Sequence, residues 1–388
     1  MDAIQVQRAK LSFIVLVDGS VDHLAECLDS ILGQTVSDIE LVCLCTTSAE
    51  GFLGCAKEFA LRNDCVSVIS YGGDSLIVGI REAVGQVSAP LTVVMRGGDV
   101  LRIDFAAKVL EDARSWGGAF DLALYDAEHV WRGSEGLRRE LVPAAGDRQV
   151  YGRPLAANEA ALALSAFCVP CASVWRPGYL SSLCDAQENS QLPLRHYSSF
   201  WLSAIASADR IVFERAAGYG SLCIDGIRAD AMESVASLGG DFGFLCESFS
   251  RSGQSALYAA SVRVLYGRSV EVLASSVPSR RREAVARLRT VLGELEVRGS
   301  SMEGILPLDA VILLNDPERY YCEQWGSYDR ISELETRLSD ALLSLEACRE
   351  SAVRETKASK AISPSPSLAR RVARKGRSVL RSIKRRIG

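Results

Sequence analysis

The chain has 388 residues, 48% of them hydrophobic and 24% charged. That is ordinary for a globular protein with a sizeable core, one large domain and extensions. No stretch offers the roughly 18 uncharged apolar residues a membrane span needs; Ala160 to Trp175 comes closest, but it is short, holds Pro170, and reads as a buried strand or helix. MDAIQVQRAK carries no apolar h-region, so no signal peptide is expected. The twelve Cys are scattered, mostly in apolar runs such as those of Cys43, Cys45 and Cys168, which suits reduced thiols in a cytosol.

In chain order, Phe13 to Val17 is a short apolar run, the form of a strand buried on both faces. Ser20 or Asp22 can cap the helix that follows. Leu24, Leu28, Ile31 and Leu32 share one face of it, and Gly33 can stop it. Ile39 to Leu44 is the next strand. Strand, helix and strand of this length make a right-handed βαβ unit. Ligands of open α/β sheets bind beyond the carboxyl ends of the strands. That points to Asp18-Gly19 and Cys45-Thr46-Thr47.

Val66 to Ser70 reads as a third strand, Ser75 to Val84 as a helix and Leu91 to Met95 as a fourth strand. Phe105 to Trp116 fits a helix and Phe120 to Tyr125 a strand. Arg132 to Ala160 is polar and irregular and is expected to be a mobile loop. Ala172 to Trp175 and Arg210 to Phe213 read as strands, with a helix over Ser199 to Ala208. Residues 226–325 look mostly helical and carry no nameable motif.

Cys168-Val169-Pro170-Cys171 is a lone CxxC, either a redox or zinc pair or two buried small residues. No second Cys or His pair stands at metal spacing, which favours the second reading. His23, His129 and His196 lie far apart and form no cluster. No phosphate-cradling GxGxxG or P-loop is present, so a nucleotide-binding protein of another α/β family is disfavoured.

From Tyr328 the pattern changes. Ile331, Leu334, Leu338, Ala341, Leu345, Cys348 and Ala352 alternate three- and four-residue spacings, an a/d seam over about three heptads. A short coiled coil and a helix docked on the body are both open. Ser363 to Ser367 alternates Ser and Pro and reads as a linker. Residues 368–388 carry nine Lys/Arg and no acid, leaving 35 bases against 48 acids elsewhere. Leu368, Val372, Val379, Leu380, Ile383 and Ile387 fall mostly on one helical face. Such a basic amphipathic helix suits an anionic membrane surface, each base contributing about 1 kcal/mol there. A disordered or nucleic-acid-binding tail is the alternative, but no aromatic residues interleave with the bases.

The opening unit contains the runs Glu26-Cys27-Leu28-Asp29-Ser30-Ile31-Leu32-Gly33-Gln34-Thr35 and Asp38-Ile39-Glu40-Leu41-Val42-Cys43. On these residues it resembles the start of the family 2 glycosyltransferases, inverting GT-A-fold enzymes that use nucleotide-sugar donors. The resemblance covers Lys10 to Leu101 well and fades near residue 220. It implies an α/β, GT-A-like (Rossmann-like) central mixed sheet flanked by helices, with a helical C-terminal extension. The implied divisions are 1–225 for the glycosyltransferase domain, 226–325 for the helical extension, 326–360 for the coiled-coil-like helix and 361–388 for linker and tail.

The resemblance also assigns the chemistry, and here the chain departs from the pattern. Where the family's acid for the nucleotide base stands, this chain has Cys45, followed by Thr46. Asp18-Gly19 follow the first strand and Gly79-Ile80-Arg81 precede the fourth, so Asp18, Gly19, Cys45, Thr46, Arg81 and Arg96 are the implied donor-binding positions. The family's metal-binding DxD aligns with Arg96-Gly97-Gly98; Asp99 follows and is the implied metal ligand, unless it caps the next helix or Arg96 replaces the metal on the diphosphate. The family's catalytic base aligns with His196-Tyr197; Asp185 and Glu188, on the preceding loop, are the other candidates.

Two functions follow as expectations. One is transfer of a sugar from a nucleotide-sugar to a cell-surface glycan or glycolipid, with Mn or Mg as cofactor or none. The protein would be cytoplasmic, held peripherally at the inner membrane face by residues 368–388, with residues 328–352 as an oligomer contact. The alternative is a catalytically inactive relative acting as a membrane-associated binding or scaffold subunit. Nucleic acid is not an expected partner.

Overall fold

The computed structural model describes residues 9–329 except 18–20, 47–49, 72–75, 118–119, 134–135, 190–196, 225–230, 275, 300–307 and 328. Two compact units divide the chain, Met1–Gln324 and Trp325–Gly388. The expected heptad seam, linker and basic tail fall in the second unit and, Asp329 apart, lie outside the described residues.

The first unit begins with β1 (Leu11–Val17), α1 (Val21–Leu32), β2 (Ile39–Thr46), α2 (Glu50–Arg62), β3 (Val66–Tyr71), α3 (Leu76–Val84) and β4 (Thr92–Arg96). All seven residues of β1 are buried, because it pairs in parallel with β2 on one side and β4 on the other. A strand covered on both faces has no use for alternation, which is why Phe13 to Val17 reads as an unbroken apolar run. Leu24, Cys27, Leu28 and Ile31 of α1 are fully buried, each large aliphatic contributing about 1.5–3 kcal/mol of burial. The polar residues of the opening motif are also spent on the scaffold. Buried Gln34 donates to the carbonyls of Ser30 and Arg102, both at 2.8 Å, and accepts from Ala106 N at 2.8 Å.

The chain continues through β5 (Val100–Leu101), α4 (Phe105–Ser115), β6 (Leu122–Gly133), β7 (Gly136–Val142), β8 (Pro154–Leu155), α5 (Ala157–Ala163), β9 (Ser173–Trp175), α6 (Pro177–Asn189), α7 (Tyr197–Ser207) and β10 (Ile211–Ile224). The sheet order is β3-β2-β1-β4-β9-β6-β10-β5, with β7 beside β6 and β8 beside β10. Strand β9 is antiparallel to both β4 and β6, and β10 is parallel to β6. The carboxyl ends of β1–β4, β6 and β10 therefore share one edge. Phe105 packs on Phe13, Tyr125 and Tyr219, with ring centroids 6.2–6.4 Å apart, in the core beneath that edge.

Strand β10 bends at an irregularity: Glu214 lies opposite Tyr125, while Tyr219 lies opposite Ala127. Gly218 makes the bend possible. Its φ is +82°, and a Cβ there would lie 2.6 Å from the Arg102 side chain. Beyond the bend, Tyr219 and Gly220 pair with β5 on one side and β6 on the other.

Two expectations are corrected. Residues 132–160 are not one loop: β6 runs through Gly133, and β7, β8 and α5 follow. Strand β7 escapes a sequence reading because it is an edge strand past the core. Leu137 to Leu141 are all exposed, so no apolar alternation marks it. Asp185 and Glu188 belong to helix α6, not to a loop. Pro177 starts that helix, and Leu180, Leu183 and Cys184 bury one face at helical spacing.

Helices α8 (Ala231–Arg251), α9 (Ser255–Ala274), α10 (Pro278–Gly299), α11 (Leu308–Asn315) and α12 (Pro317–Tyr321) complete the unit. Buried Arg281 of α10 caps the end of α9, donating to Leu273 O at 2.7 Å, Ser276 O at 2.9 Å and Ala274 O at 3.2 Å. A guanidinium suits the carbonyl-rich end of a helix. Gly267 lets α9 lie directly on the Ala166 carbonyl, and Arg263 donates to Ala161 O at 2.8 Å. The helical extension is thereby packed on the sheet half.

Candidate functional site

The strand order locates the site. From β1 the chain crosses to β2 on one side; from β3 it crosses back over to β4 on the other. A reversal of this kind opens a crevice at the carboxyl ends of the two central strands. Those ends are Val17 of β1 and Arg96 of β4, with Leu16 in register with Arg96.

Backbone fills the floor of the crevice. Gly97 N donates to Leu16 O at 2.7 Å, and a Cβ on Gly97 would lie 3.2 Å from both Leu16 O and Leu24 Cδ1. Gly98 has φ +132°, a region closed to other residues, and a Cβ there would meet His23 Cβ at 3.6 Å. The sequence Arg96-Gly97-Gly98 is thus a tight turn, with Asp99 N donating to Arg96 O at 3.1 Å. Cys27 Sγ donates to the same carbonyl at 3.7 Å. Arg96 is half-buried.

Asp99 turns away from the crevice. It is 2% exposed; Oδ2 accepts from Tyr219 Oη at 2.6 Å and Oδ1 from Leu222 N at 2.9 Å. Both carboxylate oxygens therefore hold the bent half of β10. A divalent cation wants several oxygen ligands with lone pairs to give. Arg96 and Gly98 offer none from their side chains, and among the described residues no three His, Cys, Asp or Glu are grouped to hold an ion. The residues described at this edge do not fit a metal.

Cys45 ends the buried part of β2, between Val17 and Ser70. Burial, with the nearby Cys55, pushes its thiol up to about 11. It is neutral at physiological pH and a poor substitute for a carboxylate. Thr46 follows at the strand end, paired with Tyr71 of β3. Tyr71 is half-buried, and burial raises its hydroxyl pKa; its ring lies on α3 because a Cβ on Gly79 would meet it at 3.1 Å. The sequence reading missed this aromatic at the edge, though a Tyr closing the third strand was its signal.

The other candidates divide. Arg81 is on α3 and lies near Cys184 of α6. Asp185 is exposed on α6, and Glu188 lies in the same helix. Asp18, Gly19 and His196 lie outside the described residues. His129, also missed, sits on β6 opposite Ser221 of β10, beyond the edge. Its Nε2 is 3.3 Å from Glu271 Oε1, but Arg268 takes that carboxylate, and Nε2 has no hydrogen-bond partner. Burial and then Arg268 press its pKa down to about 4. An open cleft of about 500 Å³, lined by Pro90, Asp121 and Arg176 to Tyr179, lies at the opposite edge of the sheet.

No protein-family model and no curated protein sequence matches this chain. Among solved structures it is similar to residues 1–349 of S. aureus TarS in complex with UDP-GlcNAc. The TM-score is 0.50 and the identity 12%, over 84% of this chain and 92% of that one. The fold is GT-A-like. Identity this low shows the GT-A-like fold alone. The mannosyltransferase PcManGT from Pyrobaculum calidifontis, in complex with GDP-Man and Mn2+, is more distant at a TM-score of 0.43 and 11% identity, over 86% and 88% of the two chains. In a sheet of this order, the crevice between β1 and β4 is where a ligand is to be sought.

Proposed function

We propose that this chain is a glycosyltransferase of family 2 type, moving a sugar from a nucleotide-sugar to a cell-surface glycan or lipid-linked acceptor with inversion. The observation that carries the reading is the crevice itself: a GT-A-like sheet whose reversal point is floored by Gly97 and Gly98, glycines that backbone approach and φ require. Bare backbone at a switch point suits a ligand that lies close against it.

In this reading the nucleoside sits across the ends of β2 and β3, against Cys45, Thr46 and the Tyr71 ring, and the diphosphate lies toward Arg96. Asp18 and Gly19 directly follow β1 in sequence and belong to the same subsite. The acceptor hydroxyl loses its proton to a base, its oxygen attacks the anomeric carbon, and the nucleoside diphosphate leaves. His196 is the proposed base, since it immediately precedes Tyr197, the first residue of α7 at the same edge. Asp185 and Glu188 are secondary candidates, on a helix that runs toward that edge. Arg81, standing against α6, is proposed to support the donor site rather than touch the donor.

Residues 368–388 are proposed to hold the protein on the anionic inner face of the membrane, and 328–352 to pair copies of the chain. Among the described residues no helix is long and apolar enough to cross a membrane.

The test is release of nucleoside diphosphate from a panel of UDP- and GDP-sugars by the full chain, starting with UDP-GlcNAc. Release from one member, lost in His196→Ala, is expected. The scaffold reading rests on the neutral Cys45 thiol and the committed Asp99; it predicts that no member is turned over.

A further inference from the structure

We infer that the Arg96 guanidinium, rather than a divalent cation, meets the charge of the donor diphosphate in this chain. The inference rests on the glycosyltransferase reading and deepens it. Three observations converge on it.

The turn closing β4 has lost metal-ligating capacity at every side chain: a cation at Arg96, no side chain at Gly97 or Gly98, and at Asp99 a carboxylate whose two oxygens are held by Tyr219 Oη and Leu222 N. Freeing Asp99 for a metal would strand a buried hydroxyl and a backbone N–H, so the committed arrangement is the stable one. The same turn begins at Arg96, whose backbone is in register with Leu16 at the strand-end crevice where the donor is to be sought. A guanidinium is always charged and presents a planar fork of donors that matches two phosphate oxygens at once. Finally, the side chains nearest a Cβ on Gly98 are His23, through its Cβ at 3.6 Å, and Leu222 at 3.8 Å, neither of them an acid. Cys45, the other described side chain at this edge considered as a ligand, is a neutral thiol unsuited to a hard cation.

The chemistry asked of Arg96 is modest. It draws no electrons and forms no bond to the donor. It holds the diphosphate by charge-assisted hydrogen bonds and steadies the growing negative charge on the leaving nucleoside diphosphate as the glycosidic bond breaks.

Calorimetry on the full chain with uridine, UDP and GDP, in EDTA and then in millimolar Mn2+, reads this out. UDP or GDP is expected to bind in EDTA, with affinity changed less than about threefold by Mn2+. Arg96→Ala should weaken nucleoside diphosphate binding by tenfold or more while uridine binding stays within about twofold, which separates loss of a phosphate contact from misfolding. Arg96→Lys should fall between, keeping the charge but losing the fork. Nucleoside diphosphate binding that appears only with Mn2+, or that survives in Arg96→Ala, would overturn the inference and leave the glycosyltransferase reading standing. Absence of binding to either diphosphate under both conditions would overturn both.

Discussion

Asp99 shows how a carboxylate singled out by its place in a motif can have both oxygens engaged by the fold. Its position suggested a ligand; its contacts make it a tie between the β4 turn and the bent half of β10. Tyr219→Phe removes a hydroxyl that donates to the buried Asp99 carboxylate and should cost about 1.5–3 kcal/mol. Urea denaturation checks this, and a loss below about 0.5 kcal/mol would count against the tie. His129 gives a second prediction at this scale. Arg268 and Glu271 of α9, Glu140 of β7 and Asp99 face it, and the imidazole is held neutral with a pKa near 4. The unfolded chain titrates near 6.5, so between these values it binds more protons than the folded one. Stability is whole above about pH 6.5 and drains as pH falls toward about 4. His129→Gln should flatten that fall, sparing about 1–2 kcal/mol between pH 7 and pH 5; parallel slopes for the two proteins would contradict it.

At the scale of elements, what was legible in the sequence was what a general physical pattern writes there. Strand β1 and helix α1 were plain because β1 is apolar from Phe13 to Val17 and α1 buries one stripe. The matching residues Ser30, Gln34 and Glu40 were plain too, but their contacts make them scaffold. Ser30 Oγ accepts from Leu101 N at 3.1 Å, and Glu40 accepts from Ser88 N at 2.6 Å and Ala89 N at 2.9 Å, while Ser12 donates to it as well. Such residues testify to a fold. What was illegible was long-range: the edge strand β7, whose exposed side chains follow no period, and the bend of β10, set by the Arg102 side chain beside Gly218. The metal question was undecidable from sequence for the same reason, since Tyr219 and Leu222 lie more than a hundred residues from Asp99. Gly267 offers the test at this scale. Gly267→Ala would press a methyl group into the Ala166 carbonyl and should cost about 1–3 kcal/mol of overpacking. A melting temperature unchanged from the parent's would show that α9 does not dock there as described.

Across the whole molecule, the charge is split: residues 368–388 hold nine of the 44 bases and none of the 48 acids. With each base near an anionic leaflet contributing about 1 kcal/mol, the tail proposed to meet the membrane would be enough for reversible attachment. Flotation with phosphatidylserine-containing liposomes should recover the full chain and lose the chain ending at residue 367; equal recovery would remove the membrane from the account. The GT-A-like frame is secured by the sheet order and by the TarS similarity, whereas the chemistry turns on one crevice. A crystal structure of the full chain with UDP or GDP bound is therefore the most direct measurement. The account predicts the diphosphate at the carboxyl ends of β1 and β4, within hydrogen-bond reach of Arg96, with Asp99 still held by Tyr219. A nucleotide bound elsewhere on the sheet, or bound there through a cation on Asp99, would contradict it.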